Sequence, residues 1–194
     1  TAMVYVMDTV AVQYTKTNVT AYLQNDSAIV HTTDFITSVT SACTTPVLNV
    51  LNDTIFTCSA ISTNPNYIRF NFNGGAKHSV EVTVLDTLNP TLILQNDTVY
   101  LNSSAASDTV YFADINNGSF DNCALDSAAL NAMKYATFTC ANLGENKLYI
   151  QLWDVNGNTT TDTALVYVMD TVGVQYTKSN VPASLQNDSA IVHT

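Results

Sequence analysis

Positive charge is scarce in this chain: Lys plus Arg number 6 among 194 residues, against 16 Asp plus Glu, for a net charge of -10 and a pI near 4.2. So few cations cannot neutralise a run of phosphates, which excludes a nucleic-acid-binding surface. Glu is nearly absent as well, with only Glu81 and Glu145 beside 14 Asp, and charged residues of all kinds make up 11%. A helical protein would draw on Glu, Lys, Ala and Leu, so helices are not the framework here. Gly and Pro are sparse, at 6 and 4, which excludes collagen-like and proline-rich chains. No apolar run approaches the roughly 20 residues that span a bilayer. Also missing are G-x-S-x-G, a Walker loop, H-E-x-x-H and any C-x-x-C pair, so the sequence carries no sign of an enzyme or of a zinc site. The three histidines, His31, His78 and His193, stand apart from any nucleophile or base motif and read as surface or turn residues. What the chain has instead is 28 Thr, 21 Asn and 14 Ser with 46% hydrophobic residues, a composition of strands and turns around an ordinary core.

An internal repeat organises the sequence. Residues 163–194 reproduce residues 1–32 at 27 of 32 positions, an offset of 162. The period divides further at three Asp-Thr joints: Met3 to Asp8, Val80 to Asp86 and Ala164 to Asp170 are versions of one segment. The chain therefore divides into the end of a B-type repeat at 1–8, repeat A at 9–86, repeat B at 87–170 and the start of the next A at 171–194. The two unit types correspond at Asn18-Val19-Thr20-Ala21-Tyr22-Leu23 with Asn96 to Leu101, Asp34 with Asp114, Cys43 with Cys123, and Phe56-Thr57-Cys58 with Phe138-Thr139-Cys140. The chain begins without Met and reads as an excerpt of something longer.

Period-two runs predict strands at Val80–Val84, Thr98–Leu101, Asp108–Phe112 and Lys147–Trp153, each bounded by Asn, Asp, Gly or Ser. Roughly seven short strands in about 80 residues describe an all-β fold of tandem immunoglobulin-like β-sandwiches, arranged as beads on a rod. Only Asp126–Ala132, with its Ala and Leu, suggests a helical turn. Tyr100, Tyr111, Phe138, Tyr149 and Trp153 fall in the strands, where core or cross-strand packing is their ordinary use.

Four cysteines occur two per unit, Cys43 with Cys58 and Cys123 with Cys140. Three pairings are possible. The repeat makes one bridge inside each unit the economical choice, closing loops of about 16 residues worth roughly 3 kcal/mol apiece. Disulfides place the protein outside the reducing cytosol, in an extracellular setting.

Ten of the 14 Asp precede Ser or Thr and then a small apolar residue. The hydroxyls concerned are Thr9, Ser27, Thr54, Thr87, Thr98, Thr109, Ser127, Thr163, Thr171 and Ser189. The triplet resembles the O-glycosylation acceptor motif of exported Bacteroidota proteins; strand-start chemistry, with Asp in the turn and Thr in the strand, is the alternative. Asp114, Asn116 and Asp121 lie in a loop dense in hard oxygen donors ahead of Cys123, a candidate Ca2+ site without the closing Glu of an EF-hand. Asp154-Val155-Asn156-Gly157-Asn158 offers a similar turn, and the joint residues Asp8, Asp86 and Asp170 a third placement for Ca2+. No cofactor is required by any of these readings.

The B unit, from Asp86-Thr87-Leu88-Asn89-Pro90 through Ile115 to Cys123, Phe138-Thr139-Cys140 and Leu143-Gly144-Glu145-Asn146 to Trp153-Asp154-Val155-Asn156-Gly157-Asn158, resembles the HYR-type, immunoglobulin-like repeats of very large Bacteroidota surface proteins. The A unit shares the joints and cysteines, but has Asn71-Phe72-Asn73-Gly74-Gly75 where the B unit has its Asp154 turn. The resemblance implies type IX secretion and a stalk or filament on the cell surface, as in SprB-like gliding adhesins and grappling-hook filament proteins. The implied partners are neighbouring repeats of the same chain, identical chains in a filament and covalently attached glycans, with neither nucleic acid nor membrane insertion. A lectin-like module and an accessory domain of a secreted hydrolase are the competing readings.

Overall fold

The computed structural model describes residues 11–43, 45–102 and 106–173. Asp8, Thr9, Ser189 and His193 lie outside the described residues, as do the segment 1–8 and most of 171–194.

Strands dominate both units. The first contains β1 (Gln13–Lys16), β2 (Val19–Tyr22), β3 (Ser27–Ile29), a helical turn α1 (Thr32–Phe35), β4 (Ile36–Thr40), β5 (Leu48–Val50), β6 (Ile55–Thr57), a 3-10 turn at Cys58–Ala60, β7 (Asn66–Phe72) and β8 (His78–Leu85). The second contains β9 (Asp97–Leu101), β10 (Ser107–Tyr111), α2 (Phe112–Ile115), β11 (Leu125–Leu130), β12 (Tyr135–Thr139), a 3-10 turn at Cys140–Asn142, β13 (Gly144–Asp154) and β14 (Thr159–Asp170).

The same topology appears twice. In the first unit one sheet runs β2-β8-β7-β5, and in the second β9-β14-β13-β11. In each, the opening strand lies parallel to the closing one, as in Val19↔Val82 and Val99↔Val168, while the other pairs are antiparallel. Opposite these sheets stand the pairs β3-β6 with β1-β4, and β10-β12. This arrangement is the all-β, immunoglobulin-like sandwich that the composition and strand periods predict.

Alternation explains which face turns inward. Val80, Val82 and Val84 on β8 are buried while Glu81 is exposed. On β13 Leu148, Ile150 and Leu152 point inward, with Lys147 and Tyr149 outward. Full burial of each such aliphatic side chain contributes about 1.5–3 kcal/mol. The two units bury separate clusters, one around Phe35, Ile68, Phe70 and Val82 and another around Leu101, Ile115, Leu130, Leu148 and Ile150. Phe70 is fully buried, with the rings of Tyr14, Phe35, Phe72 and His78 within 5.9 Å.

The helical turn expected at Asp126–Ala132 is instead strand β11, paired with β13 from Leu125↔Asp154 to Leu130↔Ile150. Helix propensity yields here to the ladder and to the burial of Leu130. Asn131 and Ala132 then reverse the chain with φ of 47° and 65°. Among the described residues the two α-helical turns, α1 and α2, occupy one topological place. His31 N–H donates to the Asp34 carboxylate at 2.7 Å and Tyr111 N–H to that of Asp114 at 2.8 Å, a side-chain cap in each unit.

Candidate metal centre

Asp154 ends β13 and opens the turn Asp154-Val155-Asn156-Gly157-Asn158 into β14, with Gly157 at φ +93°. Its Oδ1 accepts the N–H groups of Asn156 and Asn158, both at 2.8 Å, and its Oδ2 accepts the Asn158 side-chain amide at 2.7 Å. These bonds hold a carboxylate that is only 2% exposed. Asp86, the joint residue, is buried beside it. Asp86 Oδ1 accepts Leu88 N–H at 3.1 Å, its Oδ2 accepts Asn156 Nδ2 at 2.8 Å, and its carbonyl accepts Asn158 Nδ2 at 3.3 Å.

Asp121 completes the group from the loop before β11. Its Oδ2 accepts Cys123 N–H at 2.9 Å, whereas its Oδ1 is buried with no hydrogen-bond partner. One oxygen from each of Asp86, Asp121 and Asp154 lies within 4.8 Å of the other two. Carboxylates gathered this closely repel one another when ionised. The donors to these carboxylates are all neutral amides. Hard oxygen ligands, concentrated negative charge and a buried oxygen without a donor suit Ca2+, which takes 6–8 oxygens.

The A unit offers a natural comparison. Its counterparts of Asp121 and Asp154 are Ser41 and Asn71, both uncharged. Asn71 is buried, and its Oδ1 accepts Gly74 N–H at 3.1 Å and Asn49 Nδ2 at 3.1 Å. The turn is retained while the charge is gone. At the next joint, Asp170 Oδ1 accepts Val172 N–H at 2.8 Å, repeating the bond of Asp86 to Leu88.

Of the loop residues expected to ligate together, the structure brings only Asp121 into the acidic group. Asp114 caps α2, and Asn116 Oδ1 accepts Ser119 N–H at 2.9 Å. The Asp154 turn and the joint Asp86, read separately in the sequence, converge on Asp121 because the turn after β13 and the loop before β11 meet at one end of the unit. Leu125↔Asp154 pairing and the bond from Val155 N–H to the Ala124 carbonyl at 3.1 Å place them there.

The cysteines also differ from expectation. A disulfide joins Cys58 to Cys123, with Cα atoms 5.5 Å apart and a sequence separation of 65, while Cys43 and Cys140 are exposed thiols. Bridges Cys43–Cys58 and Cys123–Cys140 therefore do not form here. Each would have to connect the loop entering β5 or β11 to the end of β6 or β12, strands of different sheets. Short sequence separation does not bring them together. Cys123 instead packs against the first unit's core.

Of the candidate hydroxyls, Thr87, Ser127, Thr163 and Thr171 are exposed and Ser27, Thr54, Thr98 and Thr109 half-buried. In the Asp97, Asp108 and Asp162 triplets the carboxylate accepts the following threonine's N–H at 2.7–2.8 Å. Among the aromatics, Phe138 is buried and Trp153 half-buried, but Tyr100 and Tyr149 are exposed, contrary to a core role. Tyr111, also exposed, packs across the strands against Tyr135 in a tilted pair with ring centroids 5.8 Å apart. His31 is exposed before α1; His78 is half-buried against Tyr14, 5.0 Å between centroids, rather than at the surface. Among the described residues, no helix is long and apolar enough to cross a membrane.

The class of protein so defined is an all-β protein of immunoglobulin-like sandwich fold. Neither a family model nor a curated protein matches the sequence. Solved structures similar to it include human mucin-like protocadherin EC1-2, at TM-score 0.40 and 11% identity over 83% of this chain and 99% of that one. The fibronectin(III)-like modules of Clostridium thermocellum CbhA give TM-score 0.32 and 13% identity over 88% and 100%. Sidekick-1 immunoglobulin domains 1-4 give 0.25 and 10% over 82% and 52%.

Proposed function

We propose that this chain is a structural repeat segment of a long extracellular surface filament or adhesin stalk, exported by type IX secretion and serving attachment. The observation that carries this reading is the 162-residue repeat, 27 of 32 positions identical, laid over sandwich units that each bury a core of their own. Units of that kind add length by copy number, since each is stable on its own core and meets its neighbours at short joints. The disulfide suits an oxidising, extracellular location. The B unit's likeness to HYR-type repeats supports the cell surface, and the recurrent Asp-Ser/Thr triplets support O-linked sugar on it. Ca2+ held by Asp86, Asp121 and Asp154 would tie the Asp-Thr joint to the end of the B sandwich and stiffen the rod.

Peptide-level mass spectrometry of protein from its native cell surface tests the reading. Hexose-containing additions on the exposed Thr87, Ser127 and Thr163, in peptides that recur every 162 residues of one polypeptide, are expected. Bare hydroxyls would remove the glycosylation. A polypeptide without further copies of the repeat, or one fused to a catalytic domain, would overturn the filament.

A further inference from the structure

Each unit carries an entry cysteine, in the loop before β5 or β11, and an exit cysteine that opens the 3-10 turn after β6 or β12. Cys43 and Cys123 are the entry pair; Cys58 and Cys140 are the exit pair, both following Phe-Thr with that Phe buried. The one disulfide joins an exit cysteine, Cys58, to the entry cysteine of the unit that follows, Cys123. The two left as exposed thiols are the exit cysteine of B and the entry cysteine of A. They are the two whose partners, under the same rule, belong to other units.

Resting on the tandem reading above, we propose that the disulfides form a ladder with one rung at every joint. Cys140 bonds the entry cysteine of a following A unit, and Cys43 bonds the exit cysteine of a preceding B unit. The partner of each is a neighbouring copy in the same polypeptide. Residues 171–194 restart the A sequence, repeating the stretch 9–32, so the B unit that holds Cys140 is followed by the opening of an A-type repeat.

Formation of each rung removes two protons and two electrons from two thiols, and a disulfide-bearing thiol oxidoreductase is the acceptor. The Cys140 thiolate attacks the oxidant's disulfide and displaces one of its thiols; the entry thiolate then attacks the Cys140 sulfur of that mixed disulfide and releases the second. The oxidant leaves as a dithiol. The bond crosses the Asp-Thr joint beside the peptide chain, so that adjacent units are connected by two covalent paths.

Native surface protein, alkylated under denaturing conditions and digested without reduction, tests this. The expected map contains a Cys58–Cys123 linked peptide and a Cys140 peptide shifted by the mass of an A-type entry peptide around Cys43, with loss of alkylated Cys140 and Cys43. Alkylated Cys140 beside an intact following A unit would overturn the ladder while leaving the tandem reading standing. So would Cys123–Cys140 peptides. Absence of any A-type entry cysteine after the B unit would overturn the tandem reading itself. Denaturing electrophoresis without reductant separates the remaining case: migration at single-chain mass is expected, and multiples that collapse on reduction would overturn a bond along the chain.

Discussion

The side-chain amide of Asn156 donates to the carboxylate of Asp86 at 2.8 Å across 70 residues of sequence. That bond fastens the joint between the units to the turn after β13, and it brings Asp86 beside Asp154. Asp121 then makes a third carboxylate within 4.8 Å. A cation at this place would stabilise the folded chain by mass action. At 100 times its dissociation constant, Ca2+ should add about 2.7 kcal/mol, raising Tm by about 5–10 °C for a chain of this size. In Asp121→Asn the response to Ca2+ should vanish, and in chelator the variant should melt no lower than the parent, since a mutual repulsion is relieved. Calorimetric melts of both proteins with Ca2+ and with chelator read these outcomes.

Replacing both Cys58 and Cys123 by Ser opens a link that spans 65 residues. The chain-entropy account gives a loss of about 4 kcal/mol. In the 194-residue chain, where Cys43 is an exposed thiol, Cys43→Ser should change stability by no more than about 0.5 kcal/mol. Bridges within units would give the opposite pattern for Cys43. Denaturant titration of the three proteins decides between them.

Phe70 sits fully buried in the first core, so Phe70→Ala should cost about 3–5 kcal/mol. Because the second cluster around Leu148 and Ile150 shares no buried residue with the first, the loss should fall on one unit. Amide exchange should quicken across β7 and β8 and stay slow across β13 and β14.

Asp34→Ala and Asp114→Ala each remove a cap from a helical turn. A loss of about 1 kcal/mol is expected from each. Their equality is informative, because a ligand role for Asp114 alone would make Asp114→Ala sensitive to Ca2+ and leave Asp34→Ala insensitive. Melts in Ca2+ and chelator check this.

Much of the architecture is legible in local sequence. The period-two runs at Val80–Val84 and Lys147–Trp153 locate β8 and β13, because alternation is a local property of an extended chain with one buried face. The correspondence of Asp34 with Asp114 is equally visible, though not its meaning: an Asp three residues into a turn can cap or ligate, and the bond to the N–H of Tyr111 selects capping. Asp126–Ala132 misleads for the opposite reason, as Ala and Leu favour a helix only where no neighbouring strand claims the segment.

By itself the sequence determined the all-β class, the repeat of 162 residues, the most strongly alternating strands and the acidic, cation-poor composition. Each depends on composition or on spacing along the chain, which require no knowledge of what lies across a sheet. Only the tertiary structure decided that Cys58 bonds Cys123 rather than Cys43, and that Asp121 belongs with Asp86 and Asp154 rather than with Asp114 and Asn116. Both outcomes bring together groups many residues apart, and a sandwich places neighbouring segments of chain in opposite sheets while its ends gather distant loops.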